Sequence, residues 1–105
     1  MSDFAIVLTT MPDDSRADEL ASTLVTERLA ACVNVYGPMS STYRWKETVE
    51  REAERQLVIK TTSDRLAALE RRVRELHPYE VPEFLVVPVE SGTDAYLQWL
   101  VAQTR

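Results

Sequence analysis

The sequence contains little glycine, cysteine or histidine. Its 105 residues include two glycines, one cysteine and one histidine. With so few glycines, neither a Walker-type phosphate loop nor a G-x-G-x-x-G dinucleotide turn can be built. The single cysteine, Cys32, excludes an internal disulfide and a cysteine-rich zinc site, and it fits a reducing compartment. Chemistry that depends on a nucleotide loop or a thiolate cluster is therefore excluded.

Long hydrophobic runs and an excess of positive charge are also missing. No apolar run approaches the roughly 20 residues of a membrane span, and the start, Met1-Ser2-Asp3, lacks the layout of a signal peptide. The net charge of -5 has the wrong sign for a protein that neutralises phosphates. We therefore expect a cytoplasmic protein that binds neither membrane nor nucleic acid. Its length and its 45% hydrophobic and 28% charged residues fit a single domain over 1–105.

The hydrophobic pattern predicts alternating strands and helices. An apolar β-branched run indicates a buried strand, and apolar residues at i, i+3 and i+4 indicate a helix. The predicted elements are a strand over 4–10, a helix over 15–29, a hairpin over 31–61, a helix from Ser63 to His77, a strand over 84–89 and a short last helix beginning at Thr93 or Asp94. This order predicts an α+β fold of the ferredoxin-like, split β-α-β type, with an antiparallel sheet and two helices on one face.

The predicted hairpin over 31–61 is too long for so small a domain. Each arm could run on the order of ten residues or more, against the usual five or six, so we expect something outside the monomer to cover its far end. Tyr43 and Trp45 share one face of the strand because they are two residues apart. These rings are interpreted as anchors of a subunit interface in preference to caps on the monomer's own core.

The only histidine begins a stiff segment, His77-Pro78-Tyr79-Glu80-Val81-Pro82-Glu83. An imidazole is a common metal ligand and proton carrier, and a rigid loop is a good support for binding groups. The alternatives are a histidine stabilised by the helix C-terminal dipole and a plain connector between helix and strand. Elsewhere, the acidic run from Glu47 to Glu54 is interpreted as a solvated strand face, and Cys32 as a buried inert thiol.

Five segments together resemble one known family. They are LAACVNV at 29–35, S-x-Y-x-W at 41–45, VIKT at 58–61, LHPYEVPE at 76–83 and YL-x-WL at 96–100. In order and spacing they resemble the CutA family of divalent-cation tolerance proteins. The resemblance implies a ferredoxin-like homotrimer whose hairpins pair across subunits. It also implies binding of divalent metal ions, copper among them, and no established enzymatic reaction.

The resemblance implies site residues one position at a time. His77 matches the histidine of the family's HPY element, but Leu76 and Thr9 stand where some members have a second histidine and a cysteine. The implied metal site is thus reduced to His77, helped by Glu80, Glu83 or a neighbouring subunit's carboxylate. At the hairpin tip, Trp45-Lys46-Glu47-Thr48 departs from the family's Trp-x-Gly-Lys, which predicts a differently shaped turn.

Two functions follow as hypotheses. The first is a non-enzymatic, trimeric protein of divalent metal (copper) tolerance, which needs no metal to fold. The second is a signalling module similar to the PII proteins, binding a small ligand in clefts between subunits lined by Lys60, Tyr79 and Glu83. An acylphosphatase-like enzyme is disfavoured because the segment over 10–14 is acidic and lacks the glycines of a phosphate loop.

Overall fold

Strands and helices alternate along the chain in the predicted order. The computed structural model describes residues 2–105. Its strands are β1 (Phe4–Pro12), β2 (Cys32–Trp45), β3 (Thr48–Thr62) and β4 (Leu85–Pro88), and its helices are α1 (Arg16–Thr26), α2 (Leu66–Leu76), preceded by a 3-10 turn, and α3 (Asp94–Gln103). Within residues 2–105, every helix is too short or too polar to cross a bilayer.

The four strands form one antiparallel sheet in the order β2-β3-β1-β4. β3 lies between β1 and β2, so the first β-α-β unit is split by an inserted strand. This is the ferredoxin-like topology, and it confirms the predicted fold class. β4 is an edge strand that pairs only with β1, from Leu8 opposite Leu85 to Ala5 opposite Pro88.

One face of the sheet packs against α1 and α2 and forms the core. Val7, Leu57 and Ile59 point toward the helices and are fully buried, together with Leu24 of α1 and Leu69 of α2. Burying each such side chain contributes roughly 1.5–3 kcal/mol. We call this the covered face, and its packing stabilises the fold within one chain.

The other face of the sheet is covered only at one end. There α3 packs near Phe4 and Thr62, and the Thr104 and Thr62 hydroxyls lie 3.4 Å apart. We call the uncovered remainder the open face. It presents five aliphatic side chains in facing pairs across β1, β3 and β4: Ile6, Leu8, Val58, Leu85 and Val87. Of these, Leu85 is 56% and Val87 42% exposed.

The hairpin projects from the sheet as a two-stranded arm. β2 and β3 contain 14 and 15 residues, and the pairing of β1 with β3 stops at Pro12 opposite Glu54. Beyond that point β3 pairs with β2 alone, so the molecule measures 45 × 25 × 23 Å. The predicted overhang is present. A two-stranded arm is marginally stable in water by itself.

The arm ends in a two-residue turn. Trp45 pairs with Thr48, and Lys46 and Glu47 have φ angles of 48° and 68°. Positive φ at both positions is the type I′ geometry that matches the twist of the flanking strands. This turn normally favours Asn-Gly. Lys46 and Glu47 therefore hold a strained backbone conformation, because their Cβ atoms disfavour positive φ.

Several element boundaries differ from the sequence prediction, among them both ends of α2 and of β4. Two further differences have a clear physical cause. α1 ends at Thr26, three residues early, because Arg28 adopts a left-handed φ of 60°. The Leu29 N–H then donates to the Leu24 carbonyl at 3.0 Å, and the Arg28 N–H to the Val25 carbonyl at 3.0 Å, which is a Schellman C-cap. β1 continues two residues beyond its predicted end because the long β3 offers it a partner.

Candidate functional site

A cleft lies between the hairpin arm and the proline-rich loop that follows α2. Its volume is about 650 Å³, within the range of small-molecule sites. The residues that line it are Thr10, Ser41, Tyr43, Trp45, Glu54, Pro78, Tyr79, Glu80, Val81, Pro82 and Glu83. Three carboxylates and three aromatic rings contribute to this lining, and within the described residues no lysine, arginine or histidine does.

The strand period explains which arm residues reach the cleft. Ser41, Tyr43 and Trp45 alternate along β2 and therefore project from one face. Glu54 pairs with Met39, two positions before Ser41, and so it lies on the same face. Tyr43 and Trp45 do share a face, as predicted.

His77 fastens the loop to the sheet. It directly follows α2, is only 8% exposed, and its Nε2 lies 2.6 Å from the Thr10 carbonyl oxygen. The Tyr79 N–H donates to its Nδ1 at 3.2 Å. Because a carbonyl only accepts and an amide N–H only donates, the ring is the neutral Nε2–H tautomer. Burial lowers the pKa of His77, although the Thr10 carbonyl and the Glu54 charge act in the opposite direction.

Tyr79 connects the loop to a buried carboxylate. Its ring centroid lies 4.8 Å from that of His77, and its hydroxyl donates to Glu54 Oε2 at 2.7 Å. Burial, the hydrogen bond to Glu54 and the Glu54 charge raise the pKa of the Tyr79 phenol. The phenol therefore remains a donor at neutral pH.

Glu54 corrects one sequence prediction. The acidic run was expected to be solvated, and its exposed members Glu47 and Glu52 agree with that. Glu54 instead is 6% exposed. In the part of the chain that the structure describes, no lysine, arginine or histidine forms an ion pair with it, and its one hydrogen bond comes from Tyr79.

Within a single chain, the residues expected to bind a small ligand between subunits are only partly brought together. Glu83 lies in the cleft, where Gln56 Nε2 donates to its Oε2 at 3.2 Å and to the Thr9 carbonyl at 2.8 Å. Tyr79 lies in the same cleft. Lys60 is four residues from Gln56 along β3, about 13 Å away at the strand rise, and it does not line the cleft.

The donor groups fit a metal ion only in part. Both nitrogens of His77 are already hydrogen-bonded, so a metal at Nδ1 would have to displace the Tyr79 N–H. Cys32 is half-buried, whereas the sequence predicted a buried thiol. Among residues 2–105, the Thr9 hydroxyl is buried and has no hydrogen-bond partner. Residues 2–105 contain no group of three or more His, Cys, Asp or Glu side chains arranged to hold a metal.

The sheet order, the projecting arm and the cleft at its base define a class: a ferredoxin-like α+β domain with a ligand-sized site. Residues 5–103 match the family model described as CutA1 divalent ion tolerance protein. The chain therefore belongs to the CutA1 family of divalent ion tolerance proteins, as the sequence resemblance predicts.

Individual relatives agree with this assignment over the whole chain. The divalent-cation tolerance protein CutA of Thermus thermophilus is 43% identical over 94% of this chain and 96% of its own. That of Pectobacterium atrosepticum is 40% identical over 100% and 96%. The crystal structure of CutA from Xylella fastidiosa superimposes with a TM-score of 0.95 at 39% identity, covering 99% of this chain and 100% of that one. These names state no enzymatic reaction.

Proposed function

We propose that this protein serves tolerance of divalent cations, copper among them, as a non-catalytic homotrimer. The observation that carries the proposal is an acidic cleft without basic lining, in a chain that belongs to a divalent ion tolerance family. The net charge of -5 adds a weak attraction for cations over the whole surface.

Two features support assembly from copies of this chain. The open face presents adjacent aliphatic side chains, and an exposed apolar patch of this kind is typical of an interface. The arm extends past the end of β1 and has no partner beyond Glu54 within the described residues. In the proposed trimer, neighbouring subunits cover both features.

The proposed metal contacts are the accessible carboxylates of the loop. Glu80 is exposed and Glu83 half-buried at the cleft, so a hard divalent cation can keep several of its waters while it binds them. His77 joins the site when the Tyr79 N–H leaves Nδ1. The ligands missing from one chain come from the neighbouring subunit.

Calorimetric titration of the purified protein with Cu²⁺ and with Mg²⁺ tests this proposal. We expect binding that weakens several-fold in Glu83→Gln and in His77→Gln. Glu19→Gln, which removes an exposed carboxylate of α1 outside the cleft, is the matched control and should bind as the wild type does. Absence of binding, or equal affinity in all four proteins, would contradict the proposal.

A second candidate function is a module that responds to a small ligand. The specific observation in its favour is the size and lining of the cleft, because about 650 Å³ bounded by Tyr43, Trp45 and Tyr79 is more than a hydrated metal ion needs. Saturation of the cleft by an organic ligand, with a change in Trp45 fluorescence, is the expected signature. A cleft that binds only metal ions would eliminate this candidate.

A further inference from the structure

The carboxylate of Glu54 has a chemical environment that the monomer leaves incomplete. Buried charges in proteins are normally paired, because removing a charge from water costs several kcal/mol. Glu54 is 94% buried, yet among residues 2–105 only the Tyr79 hydroxyl contacts its Oε2. Its Oε1 has no hydrogen bond among these residues, and Glu54 lines the cleft. A positive charge that enters through the cleft would pair with this carboxylate.

The walls around Glu54 select the kind of cation. Tyr43, Trp45 and Tyr79 present aromatic surface, and the negative faces of such rings attract ammonium and guanidinium groups within about 6 Å. The turn provides an internal example, because Lys46 Nζ lies 5.7 Å from the centroid of the Trp45 ring. An organic cation gains from these rings and from the carboxylate at once.

A bare metal ion fits the Glu54 end of the cleft less well. Divalent cations such as Ca²⁺ take six to eight oxygen ligands, whereas the rings of Tyr43 and Trp45 offer none beyond a phenol. One oxygen of Glu54 is already engaged by Tyr79. An anion is disfavoured by charge, because Glu54, Glu80 and Glu83 line the cleft.

We propose that the cleft binds an organic cation, an ammonium or guanidinium group on an apolar body, with its charge on Glu54 and its body against Tyr43, Trp45 and Tyr79. The inference rests on the second candidate function above and names the ligand class of that site. The Tyr79–Glu54 hydrogen bond orients the carboxylate. Glu80 and Glu83 provide a further negative contact for a ligand with two positive charges.

The experiment is a calorimetric titration with cadaverine, a linear diamine, and with 1,5-pentanediol, which has the same chain and no charge. The wild-type protein should bind cadaverine at millimolar concentration or below and should not bind the diol. Glu54→Gln should weaken cadaverine binding at least tenfold, and Trp45→Leu about fivefold. Glu90→Gln, an exposed carboxylate outside the cleft, should bind normally, and circular dichroism checks that each variant is folded.

Each other outcome overturns the inference. No heat with cadaverine, equal binding of the diol, or an unchanged affinity in Glu54→Gln would do so. A wild type that ignores cadaverine, with a Glu54→Gln variant that dissociates, would assign a basic side chain of a second copy to Glu54 instead. A Cu²⁺ titration in parallel keeps the two proposals distinguishable: Cu²⁺ binding without cadaverine binding removes only the organic cation.

Discussion

The covered and open faces of the same sheet differ in how far one chain buries their apolar side chains. On the covered face, Val7, Leu57 and Ile59 are fully buried against two helices, and the alternation of the strands is satisfied within one chain. On the open face, Leu85 and Val87 remain exposed. Beside it, in the cleft, Glu54 is buried without a counter-charge among the described residues. The covered face is complete within one chain, and in our proposal partners complete the open face and the cleft.

The contrast separates stability from function. A face whose groups are all satisfied gives the chain its fold, so substitutions there act on the free energy of unfolding. A face with exposed aliphatics and an unpaired carboxylate has unmet interactions that copies or ligands can supply. Substitutions on this face should therefore change assembly and binding before they change the fold.

The largest expected effect is loss of the proposed trimer in Val87→Lys. A charge on this edge strand opposes burial of the open face, as natural edge strands use lysine to prevent pairing. Light scattering should report roughly three times the 12.0 kDa chain mass for the wild type and a single chain mass for the variant. Val25→Lys, at an equally exposed valine of α1, should stay trimeric. A monomeric wild-type protein would contradict the proposed trimer.

Truncation of the covered face should lower stability without changing assembly. Leu57→Ala removes a fully buried side chain and should cost about 3 kcal/mol. Denaturant unfolding in the Val87→Lys background measures this as a one-chain equilibrium. A loss below about 1 kcal/mol in the free energy of unfolding, or loss of the proposed trimer in Leu57→Ala alone, would contradict separate roles for the two faces.

The pH dependence of stability tests the neutral His77. Its pKa is lowered in the folded chain, mainly by burial, while the unfolded value is about 6.5. The unfolded chain therefore binds the proton more readily, and the free energy of unfolding should fall as pH decreases below about 6.5. His77 is the only histidine, so His77→Gln should remove most of the slope between pH 5 and 7. An unchanged slope in this variant would refute a buried neutral His77.

The smallest expected effect is at the arm tip. Replacing Lys46-Glu47 with Asn-Gly relieves two side chains from positive φ and should raise stability by about 1 kcal/mol. Denaturant midpoints measure it. Because the tip is far from both the core and the open aliphatics, neither the oligomeric state nor core packing should change. A loss of stability would show that the contact of Lys46 with the Trp45 ring outweighs the relief of strain.

Periodicity was sufficient for the element order and the sheet. The apolar run at β1 and the helical spacing at α1 and α2 reflect burial on one face, which is a local property of the sequence. The early end of α1 at Thr26 is not local in this way. A left-handed arginine at position 28 replaces the glycine that usually marks such an end, so the sequence carries no stop signal there.

The cleft residues of the loop could be predicted from the sequence, whereas the buried Glu54 of the arm could not. Tyr79 and Glu83 stand out because two prolines stiffen their segment. Glu54 is hidden in an acidic run, and only the register reveals it: once the turn is fixed at Lys46-Glu47, strand pairing places Glu54 opposite Met39 and on the face of Tyr43. Placing Glu54 in this way requires the position of the turn, and a turn without glycine is hard to recognise in the sequence. Lys60 lies outside the cleft of a single chain because it is four residues from Gln56 along β3, and its place in a cleft between subunits stays a prediction.

Thermal unfolding of Glu54→Gln, with and without cadaverine, tests the central claim most directly. If the buried charge is kept for an external cation, the neutral amide accepts the Tyr79 hydrogen bond without the cost of a buried charge. The variant should then melt no lower than the wild type without ligand. Only the wild type should gain stability when cadaverine is added. A variant that melts several degrees lower and still responds to cadaverine would contradict the claim and make Glu54 a purely structural partner of Tyr79.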